Sequence, residues 1–276
     1  MATIYGMSAS LFGEIPFRDL VQKLSANGWQ QVELGFLSIP EADWRTDIPR
    51  ARQLLDEAGI AVPSVHIASA GWNVADPEES VREIALAQAM NCLAPAAALG
   101  ARVVISHHNA PRIPFVAEGR AASMARSRKS LKKLADHAAT LGLQLAVENL
   151  PQRHTPRPGG PIEDVLEIID GLGDHVGICV DAGHSNANGR DAADEVRAAG
   201  DRLLAVHIQD SDGLGQDQHL LPGTGTTDWR RFIAALDECA PTCIRTFEVG
   251  AKDGNPDDVL AQLTSLREDW LARQNH

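Results

Sequence analysis

The chain has 276 residues, a length typical of a single α/β barrel, and carries a formal net charge of −12. This negative charge argues against broad non-specific contact with nucleic acid or anionic lipid, because such contact requires lysine and arginine to neutralise phosphates. No apolar stretch of about 18 residues occurs, and the first six residues have no basic segment, so we expect a cytoplasmic protein without an export signal or membrane span.

Short apolar runs alternate with longer amphipathic segments along the chain, which is the pattern of alternating strands and helices. In chain order, strands are predicted at Thr3–Ser8, Gln31–Gly35, Ala61–His66, Arg102–His107, Leu143–Glu148, Val176–Asp181, Leu203–His207 and Cys243–Glu248. The helices that follow them are predicted at Phe17–Ala26, Ile48–Ala58, Glu79–Leu99, Arg120–Leu141, Ile162–Ile169, Ala192–Ala199, Thr227–Asp237 and Pro256–Leu271.

This alternation predicts a single (β/α)8 barrel domain over residues 1–276, with its active site at the carboxyl ends of the strands. Parallel neighbours need a crossover helix, and closing the sheet removes its edges. An open doubly wound sheet is the alternative fold. It would more often show a glycine-rich phosphate turn after its first strand, which the segment Gly6–Gly13 is not.

The four cysteines are interpreted as small core residues of a reduced protein. They are Cys92, Cys179, Cys239 and Cys243. All four lie on apolar segments and have no metal-ligand spacing, which argues against a zinc or redox motif.

Acids and histidines stand at or next to the carboxyl ends of six predicted strands. They are His66, His107, Glu148, Asp181, His207 and Glu248. In a barrel these ends converge on one mouth, so two glutamates, an aspartate and a histidine could bind a single divalent cation. Oxygen-rich ligation with one imidazole favours Mn²⁺, Mg²⁺ or Co²⁺, while more histidines would favour Zn²⁺. The alternative is ordinary: strand-end glutamates form surface salt bridges, and strand-end histidines are hydrogen-bonded core residues.

Asp181 has the clearest need for a partner, because it ends the apolar run Val176–Val180. An unpaired buried carboxylate costs several kcal/mol unless its pKa rises until the group is neutral. A metal ion is the partner that we predict. The alternative is an N-cap, since an aspartate after a strand often begins the next helix.

Five motifs together resemble the xylose isomerase-like barrel superfamily. They are Val147-Glu-Asn149, Val180-Asp-Ala-Gly-His184, Val206-His-Ile-Gln-Asp210, the tract Asp217–Gly225 with Asp228-Trp229, and Phe247-Glu-Val249. That superfamily contains sugar isomerases, ketose 3-epimerases, inosose dehydratases and the endonuclease IV type of abasic-site nuclease. The resemblance covers essentially the whole chain and implies a homodimer or tetramer. It also implies four metal ligands: Glu148, Asp181, His207 and Glu248.

The function predicted on this basis is a divalent-metal-dependent sugar isomerase or epimerase, with one cation, for which Mn²⁺ is favoured over Mg²⁺, Co²⁺ or Zn²⁺. Removing a proton next to a sugar carbonyl or hydroxyl builds an enediolate, whose charge a divalent ion stabilises. Glu148 and Glu248 are the catalytic candidates, taking the proton from one face of the sugar and returning it to the other. The resemblance to the epimerases implies that these two glutamates act both as metal ligands and as acid and base.

Five further residues are candidates for binding a small sugar or sugar-derived substrate: His66, His107, His184, His219 and Arg153. The resemblance implies that His184 contacts substrate or a second metal. Arg153 lies with His154 and Arg157 in the proline-rich segment Pro151–Gly160, whose alternative is a solvated loop with ordinary surface charge. In ketose 3-epimerases an arginine usually precedes the Pro-Gly of the glycine tract, whereas here that place falls at about His219. This departure argues specifically against 3-epimerisation of a free ketose.

Three alternatives stay open. A keto-sugar or cyclitol dehydratase shares the first proton abstraction, and a metal-free binding module would have its strand-end acids in salt bridges. An endonuclease IV-like zinc phosphodiesterase on abasic DNA would use nine ligands: His66, His107 (or His108), Glu148, Asp181, His184, His207, Asp217, His219 and Glu248. The acidic net charge disfavours that nucleic-acid partner, because gripping and bending DNA takes basic loops and intercalating side chains.

Overall fold

Eight parallel strands close into a barrel in which each strand lies next to its neighbour in sequence. The structure is a computed structural model that describes residues 3–35, 43–67, 73–109, 119–151, 158–252 and 254–274. The strands are β1 Tyr5–Ser8, β2 Val32–Gly35, β3 Ser64–His66, β4 Val103–His107, β5 Gln144–Glu148, β6 Val176–Asp181, β7 Leu203–Ile208 and β8 Ile244–Phe247. The barrel closes where β1 pairs with β8, in the register Met7 to Phe247. The predicted (β/α)8 barrel is therefore confirmed; the extension of one domain over all of residues 1–276 stays a prediction.

Helices follow the strands on the outside of the barrel. They are α1 Phe17–Ala26, α2 Asp43–Thr46, α3 Ile48–Ala58, α4 Glu79–Asn91, α5 Leu93–Ala98, α6 Arg120–Thr140, α7 Ile162–Ile169, α8 Ala182–Ala187, α9 Ala192–Ala199, α10 Trp229–Cys239 and α11 Pro256–Gln274. Two 3-10 turns lie at Ala9–Phe12 and Gly200–Arg202. Within the described ranges, every helix is too short or too polar to span a bilayer.

The helix predicted over Glu79–Leu99 is instead two helices, α4 and α5, which meet at Cys92. Pro95 explains the break: it has no backbone N–H to donate to the carbonyl of Asn91, and its ring collides with that carbonyl in a continuous helix.

The strands alternate between two buried faces, as strands in a barrel must. The larger apolar cluster lies between strands and helices, whereas a smaller one fills the interior. The interior cluster consists of Val103, Ile105, Ala146, Cys179, Ala205 and Ile244. Because successive residues on one face are two apart, the next interior positions after Ile105, Ala146, Cys179 and Ala205 are His107, Glu148, Asp181 and His207. The acids and histidines therefore cover the end of the apolar interior.

All four cysteines are free thiols. Cys92 and Cys179 are buried, as predicted, whereas Cys239 and Cys243 are only half-buried.

Candidate active site

The four predicted metal ligands come together at the carboxyl ends of β5 to β8. Glu148, Asp181, His207 and Glu248 each offer an oxygen or nitrogen atom, and these four atoms all lie within 4.8 Å of one another. His207 Nδ1 is central to the group, at 2.9 Å from Glu248 Oε2 and 3.2 Å from Glu148 Oε1. The structure thus brings these four residues together, and we call this group the four-residue cluster. Their role as metal ligands stays a prediction.

Asp181 shows that the cluster is suited to a cation. Its Oδ1 accepts hydrogen bonds from the backbone N–H of His184 at 2.7 Å and from Gln209 Nε2 at 3.0 Å. Its Oδ2 is buried and accepts no hydrogen bond from any residue that the structure describes. Buried carboxylate oxygens are rarely left without a partner, and a coordinated cation would supply one. Both interpretations of Asp181 therefore fit, because the residue is also the N-cap of α8.

Burial and the neighbouring histidines act in opposite directions on the pKa values of the three carboxyl groups in the cluster. Burial raises the pKa of Asp181 to about 6, even though His184 acts in the opposite direction. Burial also disfavours ionisation of Glu248, yet His207 holds the pKa of that carboxyl at about 2. For Glu148, burial is outweighed by His207 and His107, which keep its pKa well below the usual value. Three carboxylates this close need positive charge beside them, from imidazolium groups or from a cation.

His66 and His107 both contact the second oxygen of Glu148. Their Nε2 atoms lie 3.0 Å and 3.1 Å from Glu148 Oε2. His66 Nδ1 lies 2.8 Å from the carbonyl oxygen of Ile67, which fixes the orientation of the ring. Burial lowers the pKa of His107, so this imidazole tends to be neutral. The two histidines predicted to bind substrate therefore border the cluster on the side of β3 and β4.

A second group of possible ligands is formed by His184, Asp217 and His219, whose donor atoms also lie within 4.8 Å of one another. His184 Nε2 is 3.3 Å from Asp217 Oδ2, and His219 Nε2 is 3.2 Å from Asp217 Oδ1. Burial alone would lower the pKa of His219, but Asp217 raises it to about 10. His219 also has φ of 47°, a left-handed conformation that costs a non-glycine residue energy and that clusters at functional sites.

Gln209 joins the two groups and was not predicted from the sequence. Its Nε2 donates to Asp181 Oδ1 at 3.0 Å and lies 3.3 Å from Asp217 Oδ1. A Cβ atom on Gly183 would lie 2.1 Å from the Gln209 side-chain oxygen, so only glycine leaves room for this arrangement. Packing against Gln209 thus explains the glycine in the motif Val180–His184.

Asp210 anchors the glycine tract that follows β7. Its carboxylate accepts hydrogen bonds from the backbone N–H groups of Ser211, Gly223, Gly225 and Thr227 and from the indole N–H of Trp229. The backbone of Asp210 also pairs with Leu220, directly after His219. Asp210 therefore fixes the loop that carries Asp217 and His219, a role that the sequence did not reveal.

Glu33 of β2 is a further buried acid that sequence reasoning missed. It is 1% exposed, its Oε1 lies 3.1 Å from His207 Nε2, and its Oε2 accepts a hydrogen bond of 2.6 Å from Ser64 Oγ. The only available signal was a glutamate in the middle of a predicted strand. Arg153, the remaining predicted substrate contact, lies outside the described residues, as do His154 and Arg157.

Comparison with known proteins gives four informative matches. A D-psicose 3-epimerase from Enterocloster bolteae is 32% identical over 113 residues, which are 41% of this chain and 35% of that enzyme. A probable endonuclease 4 from Thermoplasma acidophilum is 30% identical over 121 residues, 40% of this chain and 41% of that protein. The chain thus spans well under half of either relative.

The crystal structure of a D-tagatose 3-epimerase-like protein superposes with a TM-score of 0.83 at 20% identity, covering 99% of this chain and 100% of that one. At this identity the likeness shows a shared fold. The family model described as xylose isomerase-like TIM barrel matches residues 21–269. With nearly the whole chain matched and a closed eight-stranded barrel observed, this protein belongs to the xylose isomerase-like TIM barrel family.

Proposed function

We propose that this protein is a divalent-metal-dependent sugar isomerase or epimerase, which removes a proton next to the carbonyl of a small sugar and returns it. The observation that supports this most is the four-residue cluster, in which three carboxylates and one imidazole offer donor atoms within 4.8 Å of one another. The relationship to a D-psicose 3-epimerase supports the same reaction class.

Glu148, Asp181, His207 and Glu248 would hold the cation. Three oxygen donors and one nitrogen donor favour Mn²⁺, with Mg²⁺, Co²⁺ or Zn²⁺ as alternatives. When bound, the cation would stabilise negative charge that develops on neighbouring sugar oxygens.

Glu248 and Glu148 are the proposed acid/base pair. The Glu248 side chain is 13% exposed and that of Glu148 only 1%, so Glu248 has the more open path to a substrate in the mouth. Both oxygens of Glu148 lie against histidines, which can accept or supply a proton as its charge changes. A proton taken by one glutamate and delivered by the other inverts the carbon between them.

The histidines around the cluster would bind the sugar. His66 and His107 border one side of the cluster, and His184 and His219 border the other. Imidazoles donate and accept hydrogen bonds, which suits vicinal hydroxyl groups. Arg153 stays a candidate for the same role, and a cytoplasmic homodimer or tetramer is the proposed form of the enzyme.

A second candidate function is zinc-dependent phosphodiester hydrolysis, and a specific observation favours it. Three groups of possible ligands adjoin one another: His66 with Glu148 and His207, the four-residue cluster, and His184 with Asp217 and His219. Several adjacent cations suit the clamping of a phosphate between attacking and leaving oxygens. The net charge of −12 disfavours a DNA substrate.

Metal analysis and a substrate screen test these proposals together. Protein purified without chelator is expected to carry one equivalent of Mn²⁺ or Co²⁺ and, with Mn²⁺ added, to convert a keto- or aldo-sugar while incorporating deuterium from D₂O. A product that lacks one molecule of water relative to its substrate would point to the dehydratase alternative. Three zinc ions, one for each group, together with cleavage of abasic DNA, would overturn the sugar proposal in favour of the nuclease.

A further inference from the structure

Glu33 lies on the interior of the barrel next to the four-residue cluster, although several other strands fill the interior with apolar residues. Interior positions of β4, β5 and β8 hold Ile105, Ala146 and Ile244. A buried carboxylate is costly to desolvate, so the groups that hydrogen-bond to it must compensate that cost. The acid at this position is therefore explained by the buried groups that it contacts.

The first buried group that Glu33 contacts is the imidazole of His207. The two residues stand on non-adjacent strands, β2 and β7, and Glu33 Oε1 lies 3.1 Å from His207 Nε2. An ionised carboxylate only accepts hydrogen bonds, so Nε2 carries the proton in this contact. Nδ1 is then the nitrogen left to face a cation, and it lies 2.9 Å from Glu248 Oε2.

Ser64 holds Glu33 in this position. Leu34 pairs with Val65 in the β2–β3 register, which places Glu33 beside Ser64. The Ser64 hydroxyl donates to Glu33 Oε2 at 2.6 Å, so each oxygen of the carboxylate has a fixed partner. Ser64 and His207 have no exposed surface and Glu33 has 1%, so solvent does not compete for these hydrogen bonds.

From this geometry we propose that Glu33 is a positioning residue for His207, which fixes the imidazole tautomer and directs Nδ1 into the metal centre, with Ser64 holding Glu33 in place. The inference rests on the proposed metal-dependent function. Carboxylates that accept from the outer nitrogen of a ligating histidine fix its tautomer and raise its basicity as a ligand.

Three variants of the full-length protein test the role: Glu33→Leu, Glu33→Gln and Ser64→Ala. Dissociation constants for Mn²⁺ and Zn²⁺ are measured by competition with a chelating dye, and thermal unfolding is measured on metal-free protein. We expect Glu33→Leu to weaken metal binding by about 10- to 100-fold. It should also lower the metal-free Tm, because the Ser64 hydroxyl and His207 Nε2 are left buried without an acceptor. Glu33→Gln should weaken binding less, because its amide oxygen still accepts from Nε2.

Ser64→Ala serves to show that the serine acts through Glu33. On its own it should weaken metal binding slightly, and in the Glu33→Leu background it should add nothing further. A matched control is Glu195→Leu, which removes another buried glutamate, one that accepts from the backbone N–H of Ile162 on the outside of the barrel. That variant should lower the Tm and leave the metal dissociation constants unchanged.

The tautomer provides a readout that a purely structural role would not move. In ¹⁵N NMR spectra of imidazole-labelled protein loaded with diamagnetic Zn²⁺, the His207 ring should carry its proton on Nε2 in the wild type and lose this preference in Glu33→Leu. A lower metal-free Tm with unchanged dissociation constants would overturn the inference in favour of a structural role, and so would a proton on Nδ1 in the Zn²⁺-loaded wild type. A wild type that binds neither Mn²⁺ nor Zn²⁺ would overturn the metal centre itself and the inference with it. If Glu33→Leu does not fold, Glu33→Gln and Ser64→Ala still decide the outcome.

Discussion

Asp181 accepts a hydrogen bond from the backbone N–H of His184 with one carboxylate oxygen, at 2.7 Å, while its other oxygen is buried without a hydrogen-bond partner among the described residues. One side chain thus begins helix α8 and borders the four-residue cluster. The two tasks use different oxygens, so they can be separated by substitution.

Asp181→Asn should keep the helix and lose the cation. Asparagine caps helices about as well as aspartate, so the free energy of unfolding should stay within about 0.5 kcal/mol of the wild type. Without the charge, affinity for Mn²⁺ should fall by at least about tenfold, as seen by titration. Asp181→Ala should lose the same affinity and in addition about 1 kcal/mol of stability, measured by urea unfolding. Equal stability of the two variants would show that the cap contributes nothing.

Glu248→Gln should abolish turnover without disturbing the barrel. The amide is almost isosteric but cannot accept a proton, and loss of a general base typically costs about 100- to 10,000-fold in rate. The measurement is kcat at saturating Mn²⁺, with circular dichroism to confirm folding. The exposed Glu83→Gln serves as control and should keep full activity. Wild-type turnover by the Glu248 variant would contradict its acid/base role.

Asp210 should make stability depend on pH in the acidic range. Burial alone would raise the pKa of this carboxyl, but hydrogen bonds from Trp229 and Thr227 hold it below the ordinary value of 3.8. A depressed pKa means that the folded state binds the proton less tightly than the unfolded state, so the stabilisation is full above about pH 4 and disappears as the pH falls through the folded pKa.

The variant Asp210→Asn should accordingly be about 2 kcal/mol less stable than the wild type at pH 7, because several donors lose a charged acceptor. Urea unfolding at pH 7, 5, 4 and 3 should show this difference shrinking at the two lowest values. Asp174→Asn, at an exposed position, should show no difference at any pH. A gap for Asp210→Asn that stays constant down to pH 3 would contradict the role of its charge.

Gly183→Ala should damage the site through Gln209. The added methyl would lie 2.1 Å from the Gln209 side-chain oxygen, so the amide must leave Asp181 Oδ1. We expect about tenfold weaker Mn²⁺ binding, since supporting hydrogen bonds typically contribute that much to metal affinity. The double variant Gly183→Ala with Gln209→Ala should regain stability, because the clash is removed, but not affinity. Unchanged binding by the single variant would show that Gln209 does not orient Asp181.

The positions of the candidate metal ligands could be predicted from the sequence, because each ligand ends an apolar run whose alternate residues face the barrel interior. Glu148 and Asp181 follow Ala146 and Cys179 on one face, and this period of two is visible in the sequence. The N-cap role of Asp181 could also be anticipated, but helix α8 could not. Its sequence, Ala-Gly-His-Ser-Asn-Ala, has low helix propensity, so the cap and the surrounding packing decide its conformation.

Glu33 escaped prediction for a geometric reason. In Gln31–Gly35 polar residues alternate with Val32 and Leu34, which is typical of a strand with one solvated face. In this barrel Val32 and Leu34 of β2 pack against the helices, so Glu33, on the opposite face of the strand, points inward. Which way a strand faces depends on closure of the sheet, and one strand's sequence does not contain that information.

The contact between His207 and Glu33 spans the width of the barrel and joins residues 174 positions apart in the chain. An ion bound to His207 would consequently be linked through Glu33 to β2, in the amino-terminal half of the polypeptide, although its four proposed ligands lie at the ends of β5 to β8. Loss of the ion should then loosen strands β2 and β7 at the same time. Amide hydrogen exchange in β2 and β7 should quicken together when the ion is stripped, although the two strands share no backbone pairing.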